Sequence, residues 1–170
     1  NIDRWVVGAS LSFAAQRKPA GLFVRLSKET IKDASFLGWL DHNIRTSRAD
    51  PQSICFQTPE EVAASHITQI QQFVGALRQR GFKFALERFG SGRDPHGLLG
   101  VIPVDFVKID GALIQGLTND EELQERVRKL VEDATKRKIA TIAERVEDAN
   151  TMAVLWQIGV GFIQGYFVNA

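Results

Sequence analysis

Six short apolar runs recur along the chain at roughly thirty-residue intervals, and nearly every one ends on polar or charged residues. They are Leu22-Phe23-Val24-Arg25, Ile54-Cys55-Phe56-Gln57, Phe84-Ala85-Leu86-Glu87, Phe106-Val107-Lys108-Ile109-Asp110, Ala140-Thr141-Ile142-Ala143-Glu144 and Phe162-Ile163-Gln164. Segments with apolar residues at helical spacing fill the gaps. A repeated βα pattern calls for parallel strands joined by crossover helices. In a βα barrel, reactive groups project from the C-terminal strand ends, where these polar residues fall.

The spacing predicts a helix over 2–16, with Asp3 near its start and Trp5, Val6, Ala9 and Phe13 in period. A second helix is expected over about 33–46, with Phe36, Leu37, Leu40 and Ile44 on one face. Thr58-Pro59-Glu60-Glu61 reads as a helix start: Thr58 as N-cap, Pro59 in the first turn, Glu61 closing a capping box. That helix would run unbroken through Ile67, Ile70, Val74 and Leu77 to Gly81. Acids first and Lys136-Arg137-Lys138 last mark residues 119–137 as a helix, with Leu123, Val127, Leu130 and Ala134 inward. A further helix is expected over 148–158. Six strands do not close an eight-stranded barrel, so the pattern alone leaves two architectures. One is a doubly wound open sheet; the other is most of a barrel whose first strands are absent.

Composition narrows the class of function. The 170 residues read as one domain, 1–170, with 44% hydrophobic and 24% charged residues, as in ordinary globular chains. The formal net charge of +1 gives no bulk attraction for a nucleic-acid polymer or a membrane surface. No apolar stretch approaches the ~20 residues of a spanning helix, and no signal peptide opens the chain, so membrane insertion is not expected and the cytoplasm is the expected location. The single Cys55 lies inside an apolar run and reads as an inert buried thiol. His42, His66 and His96 show no ligand spacing, which argues against zinc.

The strand ends carry a resemblance. Phe106-Val107-Lys108-Ile109-Asp110, then Ala143-Glu144-Arg145-Val146-Glu147, then Ile163-Gln164-Gly165-Tyr166-Phe167 resemble the last three signature motifs of EAL domains. Ala85-Leu86-Glu87-Arg88-Phe89-Gly90-Ser91-Gly92 resembles that family's Asp-Asp-Phe-Gly-Thr-Gly stretch. Val24-Arg25-Leu26-Ser27 resembles its Val-Asn-Leu-Ser, and Gln57-Thr58-Pro59-Glu60 its Glu-Ile/Leu-Thr-Glu. EAL domains are bacterial cyclic-di-GMP phosphodiesterases, so the resemblance implies an α/β, TIM-like (βα) barrel, incomplete here at its N-terminus.

The departures from that pattern are equally specific. The family's hydrolysis uses two divalent metals held by oxygen ligands. Arg25 stands where the family has Asn, Gln57 where it has Glu, and Glu87-Arg88 where it has two Asp; the Glu-Ala-Leu segment itself does not occur. Glu60, Lys108, Asp110, Glu144, Glu147 and Gln164 match family positions. A guanidinium is a poor neighbour for a metal ion but a good partner for phosphate. The pattern therefore resembles degenerate EAL receptors of the FimX type, which regulate type IV pili. It implies cyclic-di-GMP as ligand without metal or hydrolysis, and a PilZ-domain protein as partner. The implied ligand residues are Arg25, Gln57, Glu60, Glu87, Arg88, Lys108, Asp110, Glu144, Gln164 and Phe167, and no catalytic residue is assigned.

Plainer roles are open for several of these. Glu60 in a first helical turn could serve the helix dipole alone, and Lys108 could simply neighbour Asp110. Strict strand alternation would put Glu87 and Arg88 on opposite faces, leaving Arg88 to pair with an acid of the helix layer. Gln164 can hold a phosphate, a base edge or a backbone loop, and Tyr166 and Phe167 can stack a base or pack in a core. Weak metal-dependent phosphodiesterase activity and a nucleotide-free interaction scaffold are the alternative functions.

Overall fold

In the computed structural model, which describes residues 2–17 and 21–165, one parallel sheet of six strands carries the chain. The strands are β1 (Leu22–Arg25), β2 (Ile54–Pro59), β3 (Lys83–Phe89), β4 (Phe106–Ile109), β5 (Ala140–Val146) and β6 (Phe162–Gly165). They lie side by side in chain order. A doubly wound sheet reverses its strand order at a switch point. Here no reversal occurs, so the sheet is the singly wound wall of a βα barrel and the doubly wound alternative is excluded.

Alternation along each strand sorts the two faces. Val24, Ile54, Phe56, Phe84, Leu86, Val107 and Ala143 face the helices and are buried. Fully burying each large side chain among them contributes roughly 1.5–3 kcal/mol. Phe23, Arg25, Cys55, Gln57, Lys83, Glu87, Phe106, Lys108, Ile142, Phe162 and Gln164 alternate with them and face the barrel interior.

The helices are α1 (Ile2–Arg17), α2 (Lys28–Lys32), α3 (Phe36–Ser47), α4 (Glu60–Ser65), α5 (Ile67–Gln79), α6 (Pro95–Val101), α7 (Gly111–Ile114), α8 (Glu121–Lys136) and α9 (Ala149–Ile158). In α8, Asp120 accepts a hydrogen bond from the Leu123 amide at 3.0 Å, and Val127, Leu130, Val131 and Ala134 form the buried stripe. Asp148 caps α9 in the same way, accepting from Thr151 N at 2.7 Å. Among the described residues no helix is long and apolar enough to cross a membrane.

Two local expectations are corrected, whereas the helix expected over about 33–46 is the single helix α3, with a short α2, capped by Ser27 and ended at Asp33, ahead of it. Thr58 is not an N-cap. Pairing with β3 continues through Thr58↔Leu86 and Pro59↔Glu87, so Thr58 is taken into the sheet and Pro59 becomes the capping position. The helix that follows breaks at His66, whose backbone leaves helical geometry at φ −139°, ψ 48°. The break turns Ile67, which unbroken spacing would place inward, out to 40% exposure.

Candidate functional site

The site is built at the C-terminal ends of the strands, and two β-bulges shape it. On β3, Leu86 pairs with Val107 and Phe89 with Ile109, so Glu87 and Arg88 together oppose Lys108. On β5, Ala143 pairs with Ile163 and Val146 with Gly165, so Glu144 and Arg145 together oppose Gln164. Two residues against one define a bulge, a device that re-aims side chains beside functional sites. The flanking residues Leu86, Phe89, Ala143 and Val146 are all buried against the helix layer. Neither arginine can then follow strict alternation into that layer. The expectation that Arg88 lies on the opposite face to Glu87 and pairs there with an acid is corrected: Arg88 is exposed and has no ion pair among the described residues. Both arginines take the left-handed backbone conformation, with φ 52° at Arg88 and φ 57° at Arg145.

Glu87 is the centre of the mouth. Its side chain is 7% exposed, and that of Arg25 is 68% exposed. Arg25 Nη2 donates to Glu87 Oε2 at 2.7 Å, and Arg25 Nε lies 2.5 Å from Oε1, in contact as an ion pair though not in line for a hydrogen bond. Hydrogen bonding to Glu87 raises the Arg25 pKa above its ordinary value, against the opposing effect of partial desolvation. Gln57 Nε2 donates to the same Oε2 at 3.1 Å. This bond fixes the amide orientation, since the flipped amide would set its oxygen against a carboxylate. Gln57 Oε1 is consequently buried with no protein donor.

A second ion pair lies alongside. Lys108 Nζ is 2.9 Å from Glu144 Oε1 and 4.0 Å from the centroid of the Phe23 ring, which in turn meets the edge of Phe106 with centroids 5.6 Å apart. The neighbour contact expected between Lys108 and Asp110 does not form. Asp110 ends β4 and accepts from Ala112 N at 3.1 Å, capping α7.

Glu60 sits apart, buried beneath the loop after β3. Its Oε2 accepts from Gly90 N at 2.9 Å and its Oε1 from Gly92 N at 2.6 Å. Its role is thus more than a helix-dipole contact: it clamps the loop. Gly90 has φ +108°, and a Cβ there would lie 2.7 Å from Leu113 and 2.8 Å from Leu130. Gln164 is an exposed β6 residue on the interior face. Phe167 lies outside the described residues. His96 pairs with Asp133 at 2.8 Å on the outer surface.

The structure therefore brings together Arg25, Gln57 and Glu87, sets Lys108 and Glu144 beside them, and places Arg88 and Gln164 at the rim. Sequence reasoning missed Phe23 and Arg145. Phe23 lies two residues before Arg25 and so shares its face. Arg145 repeats the apolar-Glu-Arg-apolar pattern of Leu86-Glu87-Arg88-Phe89 in Ala143-Glu144-Arg145-Val146.

The donor set does not fit a pair of divalent cations. The carboxylates of Glu87 and Glu144 are each engaged by a protein cation, and among the described residues no three His, Cys, Asp or Glu side chains converge to hold a metal ion. At the strand ends Arg25, Arg88, Lys108 and Arg145 stand with the acids Glu87 and Glu144, while Glu60 and Asp110, at the ends of β2 and β4, are engaged by backbone amides.

A singly wound βα wall with ion pairs at its C-terminal strand ends has the form of a barrel protein whose site lies on that face. The whole chain, residues 1–170, matches the EAL domain family model and belongs to that family. It is 34% identical over 118 residues to the cyclic di-GMP phosphodiesterase PdeB of Shewanella oneidensis, covering 69% of this chain and 14% of PdeB. It is 25% identical over 173 residues to the cyclic di-GMP phosphodiesterase PdeF of Escherichia coli, covering 99% of this chain and 23% of PdeF. The chain thus spans less than a quarter of the length of these curated relatives. The FimX EAL domain from Pseudomonas aeruginosa, solved bound to c-di-GMP, superposes with a TM-score of 0.92 at 34% identity, covering 99% of this chain and 69% of that one.

Proposed function

We propose that this EAL domain is a cyclic-di-GMP receptor that does not hydrolyse its ligand. The observation that carries the reading is the Arg25–Glu87 ion pair, in which a guanidinium neutralises the buried carboxylate of the mouth. A divalent metal would have to displace that guanidinium and overcome its repulsion. Phosphates meet the opposite situation, because guanidinium and ammonium groups donate charge-assisted hydrogen bonds to their oxygens, while the free Gln57 oxygen can accept from a donor elsewhere on the dinucleotide. Likeness to the FimX EAL domain bound to c-di-GMP supports the same ligand. A receptor that does no chemistry acts through a surface whose affinity differs between free and bound states. A PilZ-domain protein of the type IV pilus system, met in the cytoplasm, is the partner this reading assigns.

The relatives PdeB and PdeF, named as phosphodiesterases, favour a second reading, weak metal-dependent hydrolysis. Calorimetric titration of cyclic-di-GMP into the natural full-length protein, with magnesium and with a chelator, separates the two. Receptor function gives binding that survives the chelator, weakens with salt and yields no linear dinucleotide. Turnover at ~1 per second or faster, in the range usual for enzymes, would refute it.

A further inference from the structure

We propose that Arg88 and Arg145, the extra residues of two matching β-bulges, are a pair of phosphate-binding groups that grip the dinucleotide from the rim of the mouth. The inference rests on the receptor reading and goes beyond it, because it moves the phosphate contacts from Arg25 to these two residues. Arg25 is already committed: its guanidinium is held on Glu87 by one aligned bond and one close ion contact.

Arg88 and Arg145 are different. Both are exposed, and neither has a hydrogen-bond or ion-pair partner among the described residues. Each follows a glutamate that faces the mouth, and each sits where the sheet inserts a residue so that alternation fails. Each also occupies a left-handed conformation, φ 52° and φ 57°, that favours glycine and carries a steric penalty for a residue with a Cβ. Arginine held twice, on two strands, in a conformation that glycine fills more easily is unexplained by pairing, since both side chains are exposed and neither has a partner among the described residues. It is explained if the guanidinium is needed.

The placement fits one ligand. β3 and β5 flank β4, and Lys108, opposite the first bulge, pairs with Ile142, two to three residues before the second, so the two bulges lie about 12 Å apart at ordinary strand spacing and rise. Lys108 and Gln164, the residues facing the bulges, stand beside them. A guanidinium on either side of the mouth presents planar, forked donors to phosphate oxygens, which a lysine in either position would not match.

The test combines affinity with stability in the natural full-length protein. Arg88→Gly and Arg145→Gly are titrated with cyclic-di-GMP by calorimetry at several salt concentrations, and their thermal unfolding is followed. Each substitution is expected to weaken binding about tenfold or more and to flatten its salt dependence. The thermal midpoint should hold or rise, by up to about 2–4 °C, because glycine relieves the backbone. Arg145→Lys should bind between wild type and glycine, since it keeps the charge and loses the fork. Wild-type affinity and salt slope in both glycine variants would overturn the proposal, and so would a loss of affinity that follows a lowered midpoint. If the wild-type protein itself takes no cyclic-di-GMP, the receptor reading fails and the arginine pair falls with it. If wild type binds and the variants bind equally, only the arginine assignment is wrong.

Discussion

Removing the Glu60 carboxylate should release the loop after β3 and cost a measurable share of the domain's stability. Glu60 is buried at the start of α4 and accepts two backbone hydrogen bonds, 2.9 Å from Gly90 N and 2.6 Å from Gly92 N. Bonds to a charged group contribute roughly 1.5–3 kcal/mol each, and an orphaned buried N–H is costly in its own right. The buried carboxylate's own desolvation offsets part of this, so Glu60→Ala is expected to lose about 3 kcal/mol. For a domain of this size that lowers the midpoint by about 6–12 °C. Glu60→Gln keeps one acceptor but turns an NH2 toward the other amide, and should lose about half as much. Gly92→Ala attacks the same clamp from the other side, since its Cβ would clash with Glu60 Oε1. The carboxylate cannot retreat without surrendering its bonds, so Gly92→Ala should cost nearly as much as Glu60→Ala. In the Glu60→Ala background it should cost little, because the clash is gone. Denaturant unfolding gives the energies, and hydrogen exchange at the Gly90 and Gly92 amides localises them. A Glu60→Ala protein within about 0.5 kcal/mol of wild type, an effect usual for plain surface substitutions, with undiminished amide protection would refute the clamp.

Two further outcomes are expected. Combining Arg25→Asn, Gln57→Glu, Glu87→Asp and Arg88→Asp removes two cations and restores the oxygen donors that the family pattern implies; calorimetry with manganese should then detect binding that the natural sequence lacks, and equal manganese affinity in both proteins would contradict the donor-set argument. Cys55 is buried in the barrel interior, where desolvation pushes its thiol up to about 12. Native protein at pH 8 should therefore resist alkylation until it unfolds, and because folding favours the protonated thiol, its contribution is complete below the unfolded value near 9 and is lost as pH rises toward 12. Rapid stoichiometric labelling of native protein at pH 8 would show that the site is open.

The existence of the strands was legible because the outer face of each strand is apolar and the gaps carry helical periodicity. The choice between a barrel wall and a doubly wound sheet was not legible from periodicity, since it depends on which strand pairs with which. The break at His66 escaped notice because the apolar stripes on either side run nearly in phase. Thr58 misled for another reason: Thr-Pro-Glu-Glu is a good local helix start, but two more rungs of pairing with β3 took Thr58 into the sheet. Tertiary pairing prevailed over local capping chemistry.

The site shows how much a single inserted residue can hide. Phe84, Leu86 and Phe89 are all buried against the helices, yet the last interval is three residues where a regular strand requires two or four. Thr141, Ala143 and Val146 repeat the same interval on β5. A strict period-2 reading assigns Arg88 to the helix layer and sets Arg145 aside. The bulge releases both from that layer and leaves the preceding glutamates in the mouth. Glu87 then needs counter-charge, because a buried carboxylate left uncompensated costs several kcal/mol. Arg25 meets that need, and in the second pair the half-buried Glu144 balances the nearly buried Lys108, each pair reaching across between strands. Two acids are thereby neutralised from within the protein while two arginines are left with nothing of their own to neutralise. In the receptor reading, this division of labour separates folding from binding: Arg25 and Lys108 hold the mouth together in the absence of ligand, and the unpaired charge at the rim waits for phosphate. A mouth already ordered by its own ion pairs has little reorganisation left to undergo when the dinucleotide arrives.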